Sequence, residues 1–188
     1  MATIKGTENK DILYGRSGES HNIFGRGGND VLLGSSKNDR LYGEEGNDRL
    51  EGSYGSDTLS GGNGNDLISG LSLYGVGFSS DLTTNKDRDI LYGGRGSDTF
   101  VLSGPISTTY TRPGYYHSNG DSDLAIIKDF KSGKDKIQLA QSADLYSLTN
   151  SGSNTNIYYQ GDNNENDLVA IVQSNNNLNL ASSDFTFV

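Results

Sequence analysis

A nine-residue period of glycine runs through the first half of the chain and constrains its fold more than any other feature. Seven starts follow one another at a spacing of nine with a single step of ten, and one more comes after a break. The starting residues are Gly6, Gly15, Gly25, Gly34, Gly43, Gly52, Gly61 and Gly93. Because one short unit cannot bury a core alone, a fixed period of this kind predicts stacked coils.

The sixth position of a unit is acidic and the eighth is apolar. Side chains alternate across the short strand that ends each unit, so only the eighth points inward. The acidic series is Asp11, Asp30, Asp39, Asp48, Asp57, Asp66, Asp89 and Asp98, with His21 replacing one member. The apolar series is Leu13, Ile23, Leu32, Leu41, Leu50, Leu59, Ile68, Leu91 and Phe100. Two units make one coil, which predicts an all-β, parallel β-roll with a single apolar column between its sheets.

Composition and charge agree with a roll that needs a cation. Only 32% of the residues are hydrophobic and 26 are Gly. These are too few apolar side chains for a conventional core. The formal net charge of −9 disfavours nucleic acid as a partner, because phosphates would be repelled. Stacked aspartates repel one another too, so the turns need a counter-ion. Their ligands are all oxygen, and the chain has no Cys and two His, so calcium fits better than zinc or copper.

Several classes of segment and motif are missing from the sequence. Residues 1–6, MATIKG, lack the apolar stretch of a Sec-type signal peptide. No apolar run is long enough to span a membrane. Neither HExxH nor GxSxG occurs, and two His leave little for acid–base catalysis, so the sequence predicts a protein that is not an enzyme.

The units resemble the RTX family, the haemolysin-type calcium-binding repeats, whose nonapeptide is GGxGxDxUx. The resemblance covers residues 6–101 and is strongest at GRGGNDVLL (25–33), GGNGNDLIS (61–69) and GGRGSDTFV (93–101). It implies an ion between each pair of turns on the same side of the roll. The lower turn would supply its Asp and the carbonyls of its second and fourth residues. The upper turn would supply its Asp and the carbonyls of its first and third residues.

Carried onto this sequence, the resemblance implies about six calcium sites. Four lie on one side, and their ligands are Thr7, Asn9, Asp11, Gly25, Gly27 and Asp30; Arg26, Gly28, Asp30, Gly43, Glu45 and Asp48; Glu44, Gly46, Asp48, Gly61, Asn63 and Asp66; and Gly62, Gly64, Asp66, Gly93, Arg95 and Asp98. Two lie on the other side, with Ser35, Lys37, Asp39, Gly52, Tyr54 and Asp57, and with Ser53, Gly55, Asp57, Thr84, Lys86 and Asp89.

The period is interrupted between Gly70 and Thr83. We interpret this segment as an insertion within one turn; the alternative is two degenerate repeats, which would move Asp98 to the other side. The sequence accordingly predicts a calcium-binding roll over residues 1–102, with an insertion at about 70–83, and a C-terminal cap over residues 103–188.

The C-terminal half reads as a loop over residues 103–121 followed by an antiparallel β cap that covers the open end of the column. The strand-like runs are 123–130, 136–139, 156–160, 168–173 and 184–188. The run DLAIIKDFKSGKDKIQL (123–139) resembles the segment after the repeats in serralysin-like proteases and in cyanobacterial haemolysin-type proteins. The ending DFTFV resembles an uncleaved type I secretion signal, which implies type I secretion machinery as a partner.

Some polar residues have two interpretations at this point. His21 is either a weak ligand or the mark of a defective site. His117 is expected to be exposed in a loop where Tyr115 and Tyr116 either form a ligand platform or pack in the cap. Three acidic residues, Asp123, Asp129 and Asp135, either hold an additional ion or are plain surface charges.

The leading hypothesis is a secreted, extracellular calcium-binding module that is exported unfolded and folds in external calcium. The alternatives are a non-catalytic accessory domain of a larger secreted protease, lipase or epimerase, and an adhesin module. Outward apolar residues near the N-terminus predict an interface with a second copy or an upstream domain. They are Ile12, Tyr14, Val31 and Leu33 on one sheet, with Phe24 and Tyr42 on the other.

Overall fold

Short β-strands make up nearly all the regular structure of the described chain. The structure is a computed structural model and describes residues 1–71, 87–102, 124–160, 166–174 and 176–188. The strands are β1 (Ala2–Lys5), β2 (Ile12–Tyr14), β3 (His21–Gly27), β4 (Val31–Leu33), β5 (Arg40–Glu45), β6 (Arg49–Glu51), β7 (Thr58–Asn63), β8 (Leu67–Ser69), β9 (Arg88–Arg95), β10 (Thr99–Val101), β11 (Leu124–Phe130), β12 (Lys136–Leu139), β13 (Tyr146–Ser151), β14 (Asn154–Gln160), β15 (Asn166–Ser174) and β16 (Phe185–Phe187). A 3₁₀ helix covers Ala143–Leu145. No helix in these ranges has the length and apolar character of a membrane span.

Strands β1 to β12 alternate between two sheets, because each unit turns the chain from one sheet to the other. The first sheet has nine strands in the order β1-β3-β5-β7-β9-β11-β15-β14-β13, and the second has seven in the order β16-β12-β10-β8-β6-β4-β2. Pairing within the array is parallel and in register, so that Leu13 lies beside Leu32 and Leu32 beside Leu50. This topology confirms the parallel β-roll that the nine-residue period predicts.

The core of the roll is the column of apolar side chains from the eighth positions. The interior members have no exposed surface: Ile23, Leu32, Leu41, Leu50, Leu59, Ile68, Leu91 and Phe100, each at 0%. Leu13 is half-buried because it lies in the first coil, at the open end of the stack. Ile127 and Ile137 continue the column past the array. Full burial of one such side chain contributes about 1.5–3 kcal/mol, so the column stabilises the roll along its whole length.

The strands after the array extend both sheets before antiparallel pairing begins. β11 pairs parallel with β9, and β12 pairs parallel with β10, so residues 124–139 add one more coil. The antiparallel cap is confined to β13, β14 and β15. β15 returns parallel to β11, and β16 ends the second sheet parallel to β12. The extra coil forms because residues 130–138, FKSGKDKIQ, keep an acidic sixth and an apolar eighth position.

The interruption of the period leaves the strand pairing of the roll intact. β7 pairs directly with β9, and β8 directly with β10, so among the described residues no strand lies between them. Two hidden repeats would add strands at this place, whereas an insertion within one turn would not. The pairing therefore favours the insertion and keeps Asp98 on the side of Asp66. Residues 72–86, which hold most of the segment, lie outside the described ranges.

The outward apolar patch lies on the first two strands of the second sheet. Ile12 and Tyr14 on β2 are 54% and 60% exposed, and half-buried Val31 and Leu33 lie beside them on β4. β2 is the edge strand of its sheet. An interface with a second copy or an upstream domain stays a prediction.

Other outward positions are more buried than their place in the unit suggests. Phe24 and Tyr42 of the first sheet stack with ring centroids 4.9 Å apart and are half-buried. On the second sheet, the ninth-position residues Glu51, Ser69 and Val101 are buried, although alternation along the strand predicts exposure. The guanidinium of Arg49 lies 2.5 Å from the Glu51 carboxylate, which pairs that buried charge.

Candidate metal centre

The turns on one side of the roll, called here the first turn row, stack their sixth residues into a ladder of carboxylates. The backbone N–H of each aspartate donates to Oδ1 of the aspartate in the next coil, at 2.7 Å from Asp11 to Asp30 and 2.8 Å from Asp30 to Asp48. The same bond continues to Asp66, Asp98 and Asp135. Two nine-residue units make one coil, so every second sixth-position residue reaches this face.

The opposite side, the second turn row, carries a shorter ladder that begins with His21. The N–H of His21 donates to Oδ1 of Asp39 at 2.6 Å, Asp39 to Asp57 at 2.7 Å and Asp57 to Asp89 at 2.7 Å. Nε2 of buried His21 accepts the N–H of Arg16, so its proton is on Nδ1, 3.2 Å from Oδ1 of Asp39. The imidazole thereby donates a hydrogen bond to the Asp39 oxygen that would otherwise face a metal ion. This geometry favours the interpretation of His21 as a defective site.

The second oxygen of most ladder aspartates is the feature that points to a metal. Among the described residues, five aspartates have a buried Oδ2 that accepts no hydrogen bond: Asp30, Asp48, Asp57, Asp66 and Asp98. Burial of a carboxylate oxygen without a partner is costly, unless a cation neutralises it. Calcium takes six to eight oxygen ligands in flexible geometry, so the residues present fit this ion.

Glycine at the first position gives these oxygens their space. A Cβ added at Gly25 would lie 2.5 Å from Oδ2 of Asp30 and 2.7 Å from the carbonyl oxygen of Gly43. A side chain would therefore overlap both the carboxylate and the turn of the next coil. The absence of a Cβ lets carboxylate and carbonyl oxygens approach one another closely, as a shared cation requires.

The residues that the resemblance assigns as ligands lie in these two turn rows. The carbonyl oxygen of a first-position glycine lies over the first-position glycine of the preceding coil. Gly25 O lies over Gly6 in this way, and Gly61 O lies over Gly43. Second-position carbonyls also face the next coil, because Thr7 O accepts the N–H of Gly27 at 3.2 Å. Thr84 and Lys86 lie outside the described residues. The assignment of individual ligands stays a prediction.

A second ladder, missed by the sequence analysis, runs through the fifth positions of the first turn row. Oδ1 of Asn29 accepts the N–H of Asn47 at 2.9 Å. Oδ1 of Asn47 likewise accepts the N–H of Asn65, and Oδ1 of Asn65 accepts the N–H of Ser97, both at 2.7 Å. Its acceptors lie in the preceding coil, so it runs opposite to the aspartate ladder. The recurring Asn-Asp pair before the strands was the signal in the sequence.

Asp135 is a ladder member that sequence reasoning left open. It has 0% exposure and accepts the N–H of Asp98 at 3.1 Å, so the surface-charge interpretation is wrong for this residue. Its signal was Gly133 at the fourth and Ile137 at the eighth position of the same nonapeptide. Asp129 instead accepts backbone N–H groups of the preceding coil. Asp123, Tyr115, Tyr116 and His117 lie outside the described residues.

Burial raises the pKa of several of these carboxylates in the metal-free fold. It raises the pKa of Asp48 to about 6 and that of Asp66 to about 7, and repulsion from the neighbouring ladder carboxylates adds to both. The pKa of Asp57 is also raised, first by burial and then by the charge of Asp89. Burial likewise raises the pKa of Asp98, while the charge of Lys131 opposes that rise. The ladder therefore favours any ion that neutralises it.

A parallel β-roll whose turns hold rows of buried carboxylate oxygens without hydrogen-bond partners defines a cation-binding repeat module. The repeat array matches the family model described as RTX calcium-binding nonapeptide repeat (4 copies) at residues 24–53, 43–72 and 74–104. The RTX resemblance drawn from the nonapeptides is confirmed, and the chain is a calcium-binding module. No curated protein matches the chain.

Two solved structures align with this chain over most of its length. They are the solution structures of the AlgE6R2 and AlgE6R3 subunits of the Azotobacter vinelandii mannuronan C5-epimerase, 20% and 19% identical to this chain. The alignments cover 98% and 93% of this chain and 91% and 81% of those chains, with TM-scores of 0.31 and 0.32. At such scores the fold rests on the strand pairing of this chain itself.

Acidification should weaken calcium binding. The raised pKa values mean that the metal-free roll is stabilised below the ordinary aspartate pKa of 3.8, and loses that stability as the pH rises through about 6 and 7. Protons thus compete with calcium in this window. We expect the calcium midpoint, followed by circular dichroism, to be higher at pH 5.5 than at pH 7.5. A His21→Gln variant should show the same shift, whereas a midpoint independent of pH would contradict the protonated ladder.

Proposed function

We propose that the chain is a secreted, extracellular module that is exported by type I secretion machinery and folds when about six calcium ions bind between its turns. The unpartnered Oδ2 atoms are the observation that carries the proposal, because a hard cation is what they lack. Extracellular calcium modules bind at roughly 10⁻⁴ to 10⁻³ M, so such a roll would be loaded outside a cell and empty within it.

The proposed ions lie between successive turns of one row. In the first turn row the pairs of aspartates are Asp11 and Asp30, Asp30 and Asp48, Asp48 and Asp66, and Asp66 and Asp98; in the second they are Asp39 and Asp57, and Asp57 and Asp89. Each pair consists of neighbours in a ladder, joined by a backbone hydrogen bond. Carbonyls of the Gly-rich turns would complete the coordination. The role proposed for the module is structural and non-catalytic.

The second candidate is an accessory domain of a larger secreted enzyme. It is favoured by the N-terminal edge of the roll, where β1 and β2 are edge strands and Ile12 and Tyr14 are exposed. Edge strands offer unpaired backbone groups to a further strand. Both candidates share the same calcium chemistry and differ in what covers this edge.

Isothermal titration calorimetry of the EDTA-treated chain tests the proposal. We expect saturation at about six calcium ions per chain, at a midpoint between roughly 10⁻⁴ and 10⁻³ M. Magnesium at equal ionic strength serves as the control, since it demands near-ideal octahedral geometry and keeps its waters. Absence of calcium binding up to ten millimolar would rule out the proposed function.

A further inference from the structure

The turns of both rows fall into two conformations that differ at the second residue. In the open turns, φ of the second residue is positive: 78° at Arg26, 76° at Glu44, 83° at Ser53, 116° at Gly62 and 94° at Gly94. Each of these turns ends in one of the aspartates whose Oδ2 is buried and unpartnered. Open conformation and unpartnered oxygen thus coincide at every described turn of this kind.

In the closed turns, the backbone N–H of the second residue donates to the side chain of the sixth. Thr7 donates to Oδ2 of Asp11 at 2.6 Å, Ser35 to Oδ2 of Asp39 at 2.7 Å and Lys131 to Oδ2 of Asp135 at 2.8 Å. Arg16 closes the turn of His21 in the same way, through Nε2. The sixth residue of a closed turn is therefore satisfied without a metal.

A closed turn also withholds a carbonyl. In a trans peptide the C=O of the first residue points away from the N–H of the second. When that N–H points at the carboxylate of its own turn, the first-position carbonyl cannot face the gap between this turn and the same-side turn of the preceding coil, called here the gap beneath it. The contacts agree: Gly52 O of an open turn lies over Gly34, whereas the Gly34 carbonyl of a closed turn presents its carbon to Gly15. A gap beneath a closed turn thus lacks an oxygen that gaps beneath open turns possess.

The gap between Asp98 and Asp135 lies beneath the closed turn of Lys131, at the junction of array and cap. Nζ of Lys131 donates to the carbonyl oxygen of Gly94, at the second position of the lower turn. The carboxylate of Asp129 accepts the N–H groups of Gly93 and Gly94 at 2.8 and 2.9 Å. The chain itself therefore supplies a positive charge at the Gly94 carbonyl, a second-position oxygen of the lower turn.

We propose that the Lys131 ammonium is a tethered cation that ends the calcium ladder, so that the gap between Asp98 and Asp135 holds no ion. This inference rests on the proposed function, because it concerns which gaps of the same ladder take calcium. It assigns one ion to each gap beneath an open turn. The last coil then docks on the array through its own lysine rather than through a metal.

A double substitution that rebuilds the family nonapeptide tests the proposal. Phe130→Gly with Lys131→Gly turns FKSGKD into GGSGKD, removes the ammonium and lets the second residue adopt positive φ. The matched control, Phe130→Gly with Lys134→Gly, loses the same aromatic ring and an exposed lysine of the same turn but keeps Lys131. Calorimetry should find one more calcium ion per chain in the first variant than in the wild type, and no extra ion in the control. Equal stoichiometry in the two variants would overturn the proposal.

A crystal structure of the calcium-loaded wild type decides the matter without any variant. Lys131 Nζ beside Gly94 O with no ion at Asp135 supports the tethered cation, and an ion coordinated by Asp135 overturns it. A wild type that binds no calcium at all would instead refute the proposed function. The two failures are therefore distinguishable.

Discussion

In EDTA the chain should lose most of its β-sheet circular dichroism, and millimolar calcium should restore it. At ten times the dissociation constant, each site adds about 1.4 kcal/mol to the free energy of unfolding. About six sites add roughly 8 kcal/mol, which is as much as the whole stability of a typical domain. Without calcium, the Oδ2 atoms of five buried aspartates among the described residues lack a hydrogen-bond partner, and neighbouring ladder carboxylates repel one another. The metal-free roll therefore lacks the stabilisation by calcium at neutral pH.

The experiment follows the far-ultraviolet spectrum during a calcium titration. The near-ultraviolet signal of the 11 Tyr residues gives a second, independent view of tertiary packing. Magnesium and sodium at matched ionic strength separate specific binding from screening of the net charge of −9. Superimposable spectra in EDTA and in calcium would mean that the apolar column alone holds the fold.

Substitution of Asp48 should abolish the binding of twice as many calcium ions as substitution of Asp39. Oδ2 of Asp48 accepts no hydrogen bond, and neither do the Oδ2 atoms of Asp30 and Asp66, the ladder aspartates on both sides of it. Asp39 accepts the backbone N–H of Ser35 and both the backbone N–H and the Nδ1–H of His21. Of the two gaps beside Asp39, only the one toward Asp57 therefore lies beneath an open turn. We expect Asp48→Ala to lose two ions, about 2.8 kcal/mol at ten times the dissociation constant, and Asp39→Ala to lose one, about 1.4 kcal/mol.

The two alanine variants control for each other. Each removes one ladder acceptor, Oδ1, from a buried backbone N–H of the preceding coil, which costs about 1–3 kcal/mol with or without calcium. Asp39→Ala also removes the acceptor of the Ser35 N–H and of the His21 imidazole, a further cost that does not depend on calcium. The comparison therefore uses the number of bound ions, measured by calorimetry, rather than the total loss of stability. Equal losses would show that the gap between His21 and Asp39 binds an ion after all.

The period of the sequence determines the stacking but leaves the orientation of individual peptides undecided. The eighth-position column and the pairing of aspartates follow from two units per coil, and both appear in the structure as predicted. The choice between open and closed turns does not follow from residue type, because Ser53 adopts positive φ whereas Ser35 closes its turn. That choice depends on what the adjacent coils offer the peptide, which is a tertiary effect.

The last coil shows a second limit of pattern reasoning. Residues 120–128 place Ala125 where a ladder aspartate would be, and Phe130 occupies a first position that is glycine in every unit of the array except the one that begins at Thr84. A search for Gly and Asp therefore stops at the array. The coil forms all the same, because Ile127 and Ile137 fill the column and Asp135 still accepts the N–H of Asp98. Burial of the apolar column thus outweighs the loss of glycine.

In both ladders each interior coil donates to one neighbour and accepts from the other, so it gives its two neighbours the same donors and acceptors that it receives. A coil can therefore be duplicated or deleted in the middle of the array without leaving an orphaned group. A single unit cannot, since it would carry every later aspartate to the other row. The roll can change length only by whole coils, while the closed turns of Thr7 and Lys131 act as its fixed terminators.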